Sequence, residues 1–144
     1  MSKSVTIAQA MADRLNALAT LPDVEALVWR QKELASELAA KLGKATGAVV
    51  VILYEGFANP NANASGQLSV ARRYTVTIFA KPVLRGSSSI SGDDIAEITA
   101  RSLHDWEPDE TTSGFAQIHV RACDLRPDDK FLIYDLDIEA LGKL

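Results

Sequence analysis

The sequence predicts an α+β fold: a mostly antiparallel sheet of four to five strands with helices packed on one face. Three observations carry that expectation. Apolar residues recur at helical spacing in three segments. Four others read as strands, either through alternation or as a β-branched run. The resulting order is helix, helix, strand, strand, helix, strand, strand, without the regular alternation that forces a parallel sheet. The 144 residues fit a single α+β domain, 1–144. With 47% hydrophobic and 24% charged residues, the chain can build a core without staples.

In the first helix Ser4 or Thr6 can supply the cap, and Ile7, Met11, Leu15 and Leu18 form one apolar stripe. Gln9, Asp13 and Asn16 mark its polar face, and Leu21-Pro22-Asp23 breaks it, since Pro lacks a backbone donor. Val24 to Trp29 reads equally as a short extended piece or as the start of the next helix. From Gln31 to Lys44 the pattern is helical, with Leu34, Leu38 and Leu42 on one side and Gly43 and Gly47 framing the end.

Ala48 to Tyr54 is a continuous apolar run, the mark of a strand covered on both faces. Between Tyr54 and the alternation that follows lies a stretch rich in Asn, Ala, Gly and Ser. It reads as a long, mobile hairpin loop over about 55–70, ordered only against a neighbour. Residues 72–81 then alternate: Tyr74, Val76, Ile78 and Ala80 face one way, and Arg73, Thr75, Thr77, Phe79 and Lys81 the other. Gly86 to Gly92 is a second flexible stretch. Asp93 and Asp94 then suit the N-terminus of a helix running to about His104, with Ile95, Ile98, Ser102 and Leu103 buried and Trp106 folding back. Two strands close the chain as a hairpin around the turn signal Arg126-Pro127-Asp128-Asp129. The first puts Ala116, Ile118, Val120 and Ala122 inward; the second does so with Leu132, Tyr134, Leu136 and Ile138.

Composition narrows function mainly by exclusion. A net charge of -4 suits nucleic-acid binding poorly, because that affinity comes from neutralising phosphates with Lys and Arg. The lone Cys123 cannot form an internal disulfide or a Cys-based zinc cluster. No segment has a signal-peptide layout or approaches the ~20 apolar residues of a membrane helix, so a reducing cytoplasm is the expected compartment.

Catalytic patterns are sparse, and no catalytic, cofactor or metal residue is assigned. Asp135, Asp137 and Glu139 lie on one strand face ~7 Å apart, where carboxylates can hold a divalent cation for hydrolysis. An acidic strip facing solvent or a subunit is the favoured reading. His119 and Cys123 are expected on one face, ~13 Å apart and too distant for a catalytic pair. The Gly86–Gly92 stretch lacks the Lys-Ser/Thr ending of a phosphate loop, and Asp93-Asp94 would repel phosphate. The outward rows mix apolar and charged groups, which suits contact with a neighbouring subunit.

The phrases GAVVVILYEGF, RRYTVTIFAK, RSLHDWEPD and FLIYDLDIEAL, in that order after an N-terminal helical segment, resemble phage tail proteins of the tail-terminator type. The likeness covers most of the chain from about residue 24. It implies a non-enzymatic virion protein, assembled in the bacterial cytoplasm and resident in the tail. Copies of the chain, commonly six, would form a ring that ends polymerisation of the tail tube. The ring would offer a surface to the head completion or connector protein while DNA passes through without specific binding. No cofactor is implied. The expected contacts to a subunit or the tube are Asn59, Asn61 and Asn63 in the loop, Arg72, Arg73, Phe79 and Lys81 on the first hairpin, and Asp135, Asp137 and Glu139 on the last strand. The alternatives are another head–tail junction or minor tail protein, a small metal-dependent hydrolase using the three acids, and an adaptor binding one partner through residues 55–72.

Overall fold

The computed structural model describes residues 3–18, 20, 24–28, 48–62, 68–80, 91–108, 116–128 and 132–143. Among the described residues two helices and five strands follow in the order α1 (Lys3–Asn16), β1 (Val24–Val28), β2 (Ala48–Ala62), β3 (Leu68–Ala80), α2 (Gly92–Leu103), β4 (Ala116–Pro127) and β5 (Leu132–Lys143). The strands form one sheet in the order β1-β2-β3-β5-β4. All neighbouring pairs are antiparallel except β1 with β2. The α+β class and the mostly antiparallel sheet expected from the sequence are therefore present, and both described helices pack on one face.

Val24–Val28 resolves to a strand, parallel to Ala48–Ile52. A parallel step requires a crossover connection; here it falls on residues 29–47, which, with the helix expected over 31–44, lie outside the described residues. The edge of β1 is closed by a side chain. Asn16 Nδ2 donates to the Ala26 carbonyl at 2.9 Å, and its Oδ1 accepts from Ala26 N–H at 2.8 Å. One amide thus pairs with Ala26 as a neighbouring strand would, a role that its place on the expected polar face of the helix did not suggest.

The alternating faces of β3 and β5 decide the core. Tyr74, Val76, Ile78, Leu136 and Ile138 are all buried against Ile7, Met11 and Leu15 of α1 and Ile95 and Leu103 of α2. Two polar side chains on that face tie the sheet to α1. Tyr74 Oη–H donates to the Ser4 carbonyl at 2.7 Å, and Arg72 Nε donates to Ser4 Oγ at 3.1 Å. Ser4 therefore lies inside the first turn and serves β3. Burial pushes the Tyr74 phenol far above its ordinary range, against the lowering charge of Arg72.

α2 is capped by Ser91, whose Oγ accepts from Asp94 N–H at 3.2 Å and donates to the Asp94 carboxylate at 2.9 Å. Its first residue is Gly92 because the sheet is too close for anything larger: a Cβ there would meet Tyr134 Cε2 at 2.9 Å and Ala80 Cβ at 3.1 Å. The buried stripe is Ile95, Ala96, Thr99 and Leu103, so Ile98 and Ser102 are only half-buried and Thr99 takes the place expected for them. Arg14 links the helices, donating to the Ser102 carbonyl at 2.7 Å while its guanidinium lies 4.7 Å over the Trp106 ring. Trp106 folds back onto the core as expected.

The connection expected over about 55–70 is mostly sheet. The β2–β3 ladder extends to Ala62 and Leu68, and β5 accompanies β3 to Ser69–Lys143. Only 63–67 fall outside the described residues. Two irregularities, at Tyr54/Gly56 and Ala58/Asn61, let a polar, Pro-containing strand stay paired by breaking strict alternation. The apolar run ends at Tyr54, so composition alone reads this polar extension of the strand as a loop.

Candidate functional site

The face of the sheet away from α1 and α2 divides in two. Around β1 and β2 it is apolar: Val49 and Val51 are buried there, with Leu27 and Phe79 packed against them. This agrees with the doubly covered strand read from Ala48–Tyr54. Across β3, β5 and β4 the face turns polar. Register aligns Arg73 with Glu139 and His119, Thr75 with Asp137 and Ala122, and Thr77 with Asp135 and Asp124.

These polar groups interlock. Arg126 holds the Asp135 carboxylate through both Nε and Nη2, and Thr77 Oγ1–H donates to it at 2.8 Å. Arg121 Nη1 donates to Glu139 Oε2 at 2.7 Å, and Thr75 Oγ1–H to Glu55 Oε1 at 2.6 Å. Partial burial would raise the Asp135 carboxyl, but the hydrogen bonds from Arg126 and Thr77 and the nearby guanidinium outweigh it and hold it below the ordinary range. The same bond raises Arg126. Beside this lattice lies an open depression of about 310 Å³, lined by Ala58, Arg73, Arg121, Asp137, Ile138 and Glu139.

The structure therefore brings together four of the expected contact residues: Arg73, Asp135, Asp137 and Glu139. Asp135 and Glu139 are already paired with arginines, whereas Arg73 and Asp137 are exposed and make no ion pair among the described residues. Phe79 belongs to the apolar cluster. Arg72 is 2% exposed on the helix side and bonded to Ser4, which takes it away from any outer contact surface. The side chains of Asn59 and Asn61, and all of Asn63 and Lys81, lie outside the described residues.

β4 carries a bulge between Val120 and Ala122, and it overturns the expected partition of that strand. Beyond it Cys123 pairs with buried Leu136, so Cys123 and His119 lie on opposite faces, and Ala122 is exposed rather than inward. Cys123 is exposed, but partial desolvation of its thiol, then the charges of Asp124, Asp135 and Asp93, push it up, away from the thiolate a nucleophile needs. On the core side, desolvation and the hydrogen bond to Asp93 push the Tyr134 phenol up to about 12.

One grouping escaped the sequence reading. His104, Asp105 and His119 converge at the edge of β4. Asp105 Oδ1 lies 3.3 Å from His119 Nδ1, and Asp105 Oδ2 lies 3.6 Å from His104 Nε2. The adjacency of His104 and Asp105 was visible, but the approach of His119 depends on pairing between distant segments.

No helix among the described residues is long and apolar enough to cross a membrane. Compared with known proteins, the chain matches no protein-family model and no curated protein.

Proposed function

We propose that this chain is a structural subunit of the phage tail-terminator type, assembling with copies of itself into a ring that caps the tail tube and receives the head connector. The observation that carries the proposal is the polar half of the outer sheet face. It is broad, charged in both signs and built on rigid strands, with Arg73 and Asp137 exposed beside an open depression. Such a surface suits a polar, hydrated subunit contact better than a ligand cavity. The order of elements and phrases supports the same reading. The competing hydrolase reading is weakened, because Asp135 and Glu139 are engaged by Arg126 and Arg121.

A ring requires two different surfaces on each subunit, joined heterologously until the circle closes. Native mass spectrometry of the free chain, together with co-sedimentation on purified tail tubes, tests this. A closed oligomer, or a monomer that sediments with tubes, is the expected result. A monomer that never joins tubes overturns it.

A further inference from the structure

We propose that His104, Asp105 and His119 form a binding site for a borderline transition-metal ion such as zinc. This site is independent of the ring reading. The three residues offer two imidazole nitrogens and one carboxylate, the donor set that suits zinc. Their ligand atoms all lie within 4.8 Å of one another. A tetrahedral zinc ion with bonds of ~2.0–2.1 Å sets its ligands ~3.4 Å apart. Asp105 reaches the two histidines through different oxygens, Oδ1 lying 3.3 Å from His119 Nδ1 and Oδ2 3.6 Å from His104 Nε2, so each nitrogen–oxygen pair is near that spacing and a small rotation of the carboxylate gathers the three ligands on one ion.

The carboxylate is placed by backbone rather than by chance contact. Asp105 N–H donates to the Ile118 carbonyl at 2.8 Å, and Ile118 N–H donates to the Trp106 carbonyl at 3.0 Å. These bonds dock the segment after α2 onto the edge of β4. Asp105 also adopts φ 58°, a left-handed conformation that Asp tolerates better than most residues. The result aims its side chain between a helix-end histidine and a strand histidine whose rings lie 5.8 Å apart, edge to face.

His104 makes the site chemically distinctive. Its Nδ1 accepts from Val120 N–H at 3.1 Å, so the neutral ring carries its proton on Nε2. Coordination through Nε2 needs that lone pair free. The proton then moves to Nδ1, and Val120 N–H exchanges its histidine acceptor for water. The bond is exposed, which makes the exchange feasible. Three protein ligands leave a fourth position for water.

Calorimetric titration of the tag-free full chain with Zn²⁺ tests the proposal, with proton NMR of the Val120 amide as a second readout. One ion per chain is expected. Asp105→Asn, which keeps a left-handed backbone accessible, and His119→Gln should each weaken binding by at least ~10-fold, because each removes a ligand. The Val120 amide should shift and exchange faster when Zn²⁺ is added. No binding at millimolar Zn²⁺, or unchanged affinity in both variants, overturns the site. An unmoved Val120 amide in the bound protein overturns the role of His104 and with it the three-ligand assignment.

Discussion

The two faces of the sheet use polar groups in opposite ways. On the helix side, the polar side chains of β3 are buried and committed inward: Arg72 and Tyr74 both end on Ser4. On the outer side, Arg121, Arg126, Asp135 and Glu139 bond to one another across strands while staying in reach of water. The first arrangement fixes where α1 sits and leaves little for a partner to read. The second leaves a patterned surface whose removal should cost the isolated fold little. Buried and water-accessible polar groups are thus separated by the two-residue period of a strand.

That contrast can be broken most directly by truncation on each face. Leu136→Ala on the helix side should destabilise the chain by about 2–5 kcal/mol, because it opens a cavity in a fully buried layer. Ile133→Ala, half-buried on the outer side, should cost much less in the same chemical-denaturation experiment. Equal losses would abolish the distinction.

The approach of α2 comes next. Gly92→Val places new atoms against Tyr134 and Ala80 and should destabilise by about 1–3 kcal/mol, read as a lower denaturation midpoint. Tyr74→Phe removes only the hydroxyl and leaves the Ser4 carbonyl without that donor. A loss of about 1–2 kcal/mol is expected, with the same unfolding cooperativity.

The smallest effect belongs to the outer lattice. Arg126→Gln should leave the denaturation midpoint at neutral pH almost unchanged, as the loss of an exposed ion pair does. The Asp135 carboxyl is lowered on folding, so its contribution is present above the unfolded value of ~3.9 and lost as pH falls through the folded value. The difference between parent and variant should therefore shrink in acid denaturation curves below about pH 4. A gap that persists or widens there would assign the effect to packing.

Much of the fold was legible because its elements announce themselves locally. Ile7, Met11 and Leu15 recur at helical spacing, and Tyr74 to Ala80 and Leu132 to Ile138 alternate without interruption. Legibility failed where a bulge shifted the phase, at Arg121, since one inserted residue reverses every later side chain, and beyond Tyr54, where a paired strand turns polar and resembles a loop. It failed again where a side chain stood in for backbone, as Asn16 does beside β1. The acidic row of β5 was readable as a row; its arginine partners were not, because Arg121 and Arg126 reach it only through the β4–β5 register.

The sequence by itself determined the α+β class, the buried rows of β3 and β5 and the acidic face opposite them, because strand and helix periods are properties of neighbouring residues. Only the tertiary structure decided that Arg72 is buried, that Cys123 and His119 part company, and that His119 comes to lie beside Asp105. Each of those depends on contact between segments far apart in the chain, and a local period carries no information about it.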